Sequence, residues 1–369
     1  MASILFVSKP VVPPWNDSGK NLVRDLARGL TRHRATLMTR ADAPREVLNA
    51  DRAHVYAAGS GGFAPGMRDQ ARVFAHLLTA RGHAAWHFFF APNPRSCTAG
   101  RAATRLRRLP SVHTLSSAPR DAQAIVPRLF ADVNVVLSQH TEQKLRAAGL
   151  PGARLVRIAP AIEPLAPLTE SERAAARQLF SLPAAAPLVL YPGDLEFGGG
   201  AQLCVEAFRD PRLADCQLLL ACRSKTAHAR SVESELRARV AELDLSERVR
   251  FIGETAHIHA LLGCVDVVAL PSTDLYAKMD YPLVLLEAMS LARPVLVARD
   301  TPAAELCVDD AARAVEARAD ALAAQLSALL EHDDERASLG ERAREALLAR
   351  YTHSVMAQRY EAVYDALLR

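Results

Sequence analysis

The chain has 369 residues, half of them apolar, and a formal net charge of +4. That length exceeds one ordinary hydrophobic core and suits two domains, while the apolar share excludes a disordered chain. No apolar run reaches about 18 residues, so a membrane-spanning helix is not expected.

The chain opens with Met1 to Ser8, which has no basic leader and no cleavage site and reads as a first strand. Short apolar runs then alternate with amphipathic stretches, the pattern of a parallel sheet with helical crossovers. Strands are predicted at Ile4–Val7, Ala35–Met38, His54–Tyr56, Ala85–Phe90, Val112–Ser116, Val133–Ser138 and Leu155–Ile158. Helices are predicted at Lys20–Leu30, Met67–Ala80, Ala122–Phe130 and Thr141–Ala148. Three prolines between Pro160 and Pro167 mark a linker. The pattern then restarts at Leu188–Tyr191 and continues through Gln202–Phe208, Gln217–Cys222, His228–Leu243, Val249–Phe251, His257–Leu262 and Val265–Leu270. After these come the helix within Tyr281–Leu296 and an apolar strand at Pro294–Ala298. Two such arrays imply an α/β fold of two doubly wound, Rossmann-like domains facing across a cleft, with that cleft as the ligand site. The expected domains are residues 1–162 and 163–350, followed by a C-terminal helix at 351–369 that packs back toward the first domain. The helical stripe Met356, Tyr360, Val363, Tyr364 and Leu367 is read as core.

Charge is divided unevenly. Residues 1–160 hold 23 Lys and Arg against 9 Asp and Glu, and the remainder holds 22 against 32. The basic half therefore suits an anionic partner: an acidic acceptor, an anionic membrane surface, or the acidic half itself. Its sharpest cluster, Arg101, Arg105, Arg107 and Arg108, also fits an ordinary solvated helix face. A nucleic-acid partner is not expected. The six cysteines show neither CxxC nor zinc spacing and sit mostly in apolar segments, as expected of a reduced, cytoplasmic protein.

Four features of the second half suit a nucleotide-phosphate ligand. The run Tyr191-Pro-Gly-Asp-Leu-Glu-Phe-Gly-Gly-Gly200 follows a strand and opens a helix. There Gly193, Gly198 and Gly199 let a ligand approach the backbone, and the helix start offers N–H groups to an anion. Ala221-Cys-Arg-Ser-Lys225 ends a strand with Arg223 and Lys225 at alternate positions, pointing the same way. That pair fits a diphosphate or a surface ion-pair cluster. Phe251-Ile-Gly-Glu-Thr255 turns from strand to loop, so Gly253, Thr255 and the backbone as far as His257 could read a base. Pro271-Ser272 leads to a helix carrying Glu287, whose carboxylate suits a ribose diol and equally fits a capping or solvated acid. No clustered carboxylates have metal-ligand spacing.

Together, in this order, the four features resemble the second domain of GT-B glycosyltransferases, specifically the retaining group 1 (GT4-type) family. The likeness is strongest over Phe251–Leu296, through Val-Asp-Val-Val-Ala-Leu-Pro-Ser272, Leu-Val-Leu-Leu-Glu-Ala-Met289 and Arg-Pro-Val295. Thr301-Pro-Ala-Ala-Glu305 is similar to the family's next loop, and Lys9 to Lys20 to its loop after the first strand. Ser138, Thr141 and Gly149 are similar to a helix start near the end of its first domain. The resemblance implies transfer of a sugar from a nucleotide-diphosphate donor with retention at the anomeric carbon, and no further cofactor. It implies an acceptor-side first domain and a donor-binding second domain, with Glu287, Leu283 and Val284 at the nucleotide.

Three departures accompany it. The family pairs Glu287 with a glutamate eight residues earlier, where this chain has Met279, so Asp280 is the expected substitute at the donor sugar. The family places an Arg and a Lys at positions held here by Asp194 and Gly199. Arg223, Lys225 and Lys20 are the expected replacements on the diphosphate. In the first domain the resemblance makes His87 the candidate near the sugar, followed by His113 and His140, although its apolar run better fits a core histidine. Asn16, Asp17 and Ser18 could touch hydroxyls or simply form a turn. The alternative is a catalytically silent relative that binds a sugar, a nucleotide or a protein. A dinucleotide oxidoreductase is disfavoured because the first strand turn lacks GxGxxG. The acceptor is expected to be anionic or lipid-linked, with the protein in the cytoplasm or peripheral to the inner membrane surface.

Overall fold

A computed structural model describes every residue except 44–49, 60–64, 225 and 277. The chain divides into two compact units. Unit 1 comprises Met1–Glu163, Tyr276–Tyr281 and Arg350–Arg369, and unit 2 comprises Pro164–Leu275 and Pro282–Ala349. Residues 276–281, which the sequence places in the second domain, therefore belong to the first. Asp280 holds them there, as described below.

The strands of unit 1 are β1 (Ser3–Val7), β2 (Arg34–Arg40), β3 (Asp51–Tyr56), β4 (Ala85–Phe89), β5 (Ser111–Leu115), β6 (Val133–Val136) and β7 (Leu155–Arg157). They form one parallel sheet in the order β3-β2-β1-β4-β5-β6-β7. Ile4, Leu5 and Phe6 are all fully buried, because helices cover both faces and leave no side for polar alternation. The crossovers include α1 (Ser18–Gly29), α2 (Met67–Thr79), α3 (Pro94–Arg107), α4 (Ala122–Ile125) and α5 (Gln139–Ala147). Capping sets several helix starts. Asp17, Asn93 and Ser138 accept the N–H groups of Lys20, Ser96 and Thr141, contacts of a kind worth about 1 kcal/mol each. Helix α3 is absent from the helix ranges predicted from the sequence, although its arginine cluster fits a solvated helix face. Its Asn93-Pro94 start reads as a loop, yet Asn at the cap and Pro at the first helical position is also a helix opening.

The C-terminal helix His353–Leu367 completes unit 1. It lies against α1 so closely that a Cβ on Gly29 would stand 2.6 Å from the His353 carbonyl oxygen. Glu361, 1% exposed, accepts the backbone N–H of Thr31 at 2.7 Å and those of Arg32 and His33. One buried carboxylate thus satisfies the turn leaving α1.

Unit 2 contains α6 (Glu170–Leu179), β8 (Leu188–Tyr191), α7 (Gly200–Ala207), β9 (Gln217–Leu220), α8 (Ala227–Glu242), β10 (Val249–Phe251), α9 (Ile258–Cys264) and β11 (Val267–Leu270). These are followed by α10 (Leu283–Ser290), β12 (Val295–Ala298), β13 (Arg313–Val315), α11 (Ala319–Glu331) and α12 (Asp333–Arg350). The sheet is parallel in the order β10-β9-β8-β11-β12-β13. Strand order reverses between β8 and β11, and in an open parallel sheet the crevice at the carboxyl ends there is where ligands bind.

Candidate functional site

The switch point of unit 2 is built around Tyr191, the fully buried last residue of β8. Its hydroxyl donates to the Asp194 carbonyl at 2.7 Å and lies 3.0 Å from the Ser272 hydroxyl beyond β11. The Thr273 N–H donates to the Gly198 carbonyl at 3.0 Å, a second tie between the two loops. Glycine is required where this turn closes. A Cβ on Gly200 would stand 2.3 Å from Ser272 Oγ, and one on Gly193 would stand 2.2 Å from the Tyr191 ring. Gly198 and Gly199 have φ of +72° and +59°, a conformation that disfavours a side chain. Helix α7 therefore begins at a bare backbone with no side-chain cap and with open space around Gly199, a geometry suited to an anion. The two missing cations gain a physical reason. Asp194 accepts the Glu196 N–H at 2.7 Å and so shapes the turn, while Gly199 takes a left-handed cap.

At the carboxyl ends of β9 and β10, Arg223 Nη1 lies 3.0 Å from Glu254 Oε1. The arginine expected at the diphosphate is thus held by an acid from the neighbouring loop. Lys225, its expected companion, lies outside the described residues. Gly253 has φ +72°, and a Cβ added to it would meet nothing within 4 Å, so its surface is open. The Thr255 hydroxyl accepts the His257 N–H at 3.0 Å and shapes the lead into α9. Thr226 and Glu196 hydrogen bond to each other, joining this loop to the glycine turn.

Glu287 sits in the second turn of α10 with its side chain 19% exposed, and His259 Nε2 of α9 is 3.6 Å from its carboxylate. The start of α10, at Leu283 and Val284, carries no side-chain cap. Glycine turn, Arg223 loop, Gly253 loop and Glu287 helix all lie on the carboxyl edge of one parallel sheet. Among the described residues no group of three or more His, Cys, Asp or Glu could hold a metal ion.

The first-unit candidates have other tasks. Asp280, 1% exposed, accepts from Ser138 Oγ at 2.6 Å, Thr141 Oγ1 at 2.7 Å and the Ala118 N–H at 2.9 Å. Burial works to raise the pKa of its carboxyl and the three donors work against it, leaving the carboxyl above its usual range. Its lone pairs are directed at framework donors, so the expectation of a sugar ligand is corrected to that of an anchor for residues 276–281. Met279 is buried beside it. His87 is fully buried, with Nδ1 at 2.7 Å from the Tyr364 hydroxyl and Nε2 at 2.7 Å from Thr114 Oγ1. Burial lowers its pKa well below the usual histidine value and keeps the ring neutral. It is a core histidine, which corrects its reading as a residue near the sugar. His113 is likewise fully buried, its pKa pushed down to about 4 by burial, with Nε2 2.9 Å from the Phe90 carbonyl. His140 is exposed near the start of α5. Lys20 Nζ donates to the carbonyls of Val12 and Pro14 at 2.9 and 2.8 Å, which bends it onto its own loop and away from its expected diphosphate role. Asp17 and Lys9 form an ion pair in the same loop, so the Asn16–Ser18 turn has structural work of its own.

Three site residues are missed by sequence reasoning. Tyr191 reads as a strand end and Ser272 as part of a motif, though an aromatic strand end ahead of a Pro-Gly turn is a signal for close packing. His259, one turn beyond the Gly253 loop, leaves no signal because its partner Glu287 is remote in sequence.

Residues 173–346, slightly under half of the chain, match the family described as Glycosyl transferases group 1. No curated protein matches the chain. Among solved structures, Anabaena HepE in complex with UDP and glucose is similar over 100% of both chains, with a TM-score of 0.81 and 19% identity. A glycosyltransferase from Rickettsia africae covers 100% of this chain and 99% of its own, with a TM-score of 0.78 and 16% identity. Sucrose-phosphate synthase from Thermosynechococcus elongatus does the same with a TM-score of 0.75 and 20% identity. The chain thus has the α/β fold of the GT-B glycosyltransferases, and residues 173–346 match the group 1 family.

Proposed function

We propose that the protein is a glycosyltransferase that takes a sugar from a nucleotide-diphosphate donor and transfers it with retention at the anomeric carbon. The observation that carries this reading is the glycine-built, uncapped start of α7 at the switch point of unit 2, on the same sheet edge as Glu287. The similar Anabaena structures hold UDP, UDP-glucose, or UDP with glucose, which supports a nucleotide-sugar donor.

In this reading the diphosphate meets the N–H groups of α7, and Glu287 accepts hydrogen bonds from the ribose. The loop from Gly253 to His257 faces the base. Leaving-group stabilisation supplies the chemistry. Negative charge grows on the diphosphate as the glycosidic bond breaks, and fixed N–H dipoles aimed there lower the barrier. Arg223 joins them by exchanging Glu254 for phosphate, each such contact contributing about 1.5–3 kcal/mol. Lys225 is proposed as a second cation. The acceptor is proposed to be anionic or lipid-linked, in keeping with the basic first half and a cytoplasmic site of action.

A second reading has specific support. Asp280 is saturated by framework donors and Arg223 is paired with Glu254, as in a binding module that no longer transfers sugar. A panel of nucleotide sugars, assayed for transfer and for donor hydrolysis, separates the two. Turnover with at least one donor, lost in Arg223→Ala, supports the enzyme. Nucleotide binding without turnover leaves the binding module, and neither one removes both readings.

A further inference from the structure

A grouping of positive charge outside the candidate site lies at the amino-terminal edge of the unit 1 sheet. Arg107, in the last turn of α3, reaches across to the end of α2 and donates to the carbonyls of Leu78 and Ala80. That clasp brings the loop after α2, with Arg81, beside the end of α3, with Arg105 and Arg108. Two backbone bonds fix both loops at the strand starts: Ala84 N–H to the Ser3 carbonyl at 2.8 Å, and Trp86 N–H to the Pro110 carbonyl at 3.0 Å. Arg81, Arg105 and Arg108 are exposed, and none has an acidic partner among the described residues. Leu106, between two of them, is 69% exposed. Asp51 and Asp132, at the starts of β3 and β6, are engaged elsewhere. The first pairs with Arg34 at 2.7 Å and the second accepts from Ser111 at 2.8 and 3.0 Å.

Positive residues in the last turn of a helix complement its dipole, which accounts for Arg105 and Arg107 in part. It accounts for neither Arg81 nor an exposed leucine. Guanidiniums that remain hydrated around a protruding apolar side chain match the interface of an anionic bilayer, where the leucine enters the acyl boundary and the arginines stay at headgroup level. Nucleic-acid surfaces add aromatic rings for stacking on bases, and among the described residues no exposed aromatic ring adjoins this cluster. We propose that Arg81, Arg105 and Arg108, with Leu106, form a docking platform for a membrane surface rich in anionic phospholipid. The proposal goes beyond sugar transfer and stands whether or not the site is active.

The test is flotation of the full chain with vesicles of phosphatidylcholine, with or without phosphatidylglycerol. Binding is expected only to the anionic vesicles at about 0.1 M salt and should fall steeply as the Debye length shrinks toward 1 M. Replacing all three arginines by serine should lower partitioning about a hundredfold, at about fivefold per arginine, with an unchanged melting temperature. Leu106→Ser should lower it several-fold at every salt concentration. Failure to bind the anionic vesicles, or equal binding by the triple variant, overturns the proposal. So does retention on heparin without vesicle binding, which would assign the cluster to a soluble polyanion.

Discussion

Asp280 and Glu287 lie close together in one stretch of sequence and belong to different units, and their surroundings diverge completely. In unit 1, Asp280 is 1% exposed and surrounded by three donors. In unit 2, Glu287 retains an exposed face and a single imidazole at 3.6 Å. The same contrast holds between the two regions. Asp280, His87, His113 and Lys20 of unit 1 are engaged by its own framework, while the sheet edge of unit 2 presents bare glycine backbone and the uncapped starts of α7 and α10. A side chain of the right chemistry is available to a ligand where the fold leaves it unsatisfied or holds it by a partner it can exchange, as Glu254 holds Arg223.

The strongest way to break that comparison is Asp280→Ala. It strands three donors in the interior and should cost about 4 kcal/mol of stability, read as a lower urea midpoint. Unchanged stability with lost sugar transfer would return Asp280 to the donor sugar. Next comes acid sensitivity. Burial holds His113 at about 4 in the folded chain, against the usual 6.5. The unfolded state therefore binds the proton first, so the contribution is complete above pH 6.5 and is lost as pH falls toward 4. The loss is about 3 kcal/mol, and His87 acts in the same direction. Both tryptophans, Trp15 and Trp86, are in unit 1, so their fluorescence reports that unit alone. It should change at higher pH than the far-ultraviolet circular dichroism of the whole chain, and His113→Leu should flatten the difference. Coincident curves in both proteins would show that the buried histidines do not set unit 1 apart.

In unit 2 the effects should fall on binding. Glu287→Ala should weaken nucleoside-diphosphate affinity by about 2 kcal/mol, or roughly thirtyfold, by calorimetry with no change in melting temperature. A stability loss without an affinity loss would make it a structural acid like its neighbour. The smallest expected effect is that of Tyr191→Phe, which unties the glycine turn from Ser272 and should weaken the same affinity by about 1 kcal/mol, or roughly fivefold.

The architecture is legible in the sequence because parallel strands buried on both faces are continuous apolar runs, as at Leu188–Tyr191. Glycines near Gly198 announce a close backbone approach for the same reason: the constraint is local. Helix α3 is hidden because Asn-Pro serves loops and helix starts alike. The fates of Asp280, His87 and Arg223 are illegible because each depends on a partner distant in sequence: Ser138, Tyr364 and Glu254. Spacing shows which side chains could act, and only packing shows which have already been engaged.

Unit 1 is assembled from three separate stretches of chain, the last being the helix that carries Glu361. During translation, residues 1–163 emerge first, yet they lack the carboxylate that satisfies the turn at Thr31–His33 until the final helix appears. Unit 2 has all of its chain once residue 349 has emerged. Unit 1, begun before unit 2, is therefore completed after it, and in the interval its α1 surface lacks the helix that packs on it.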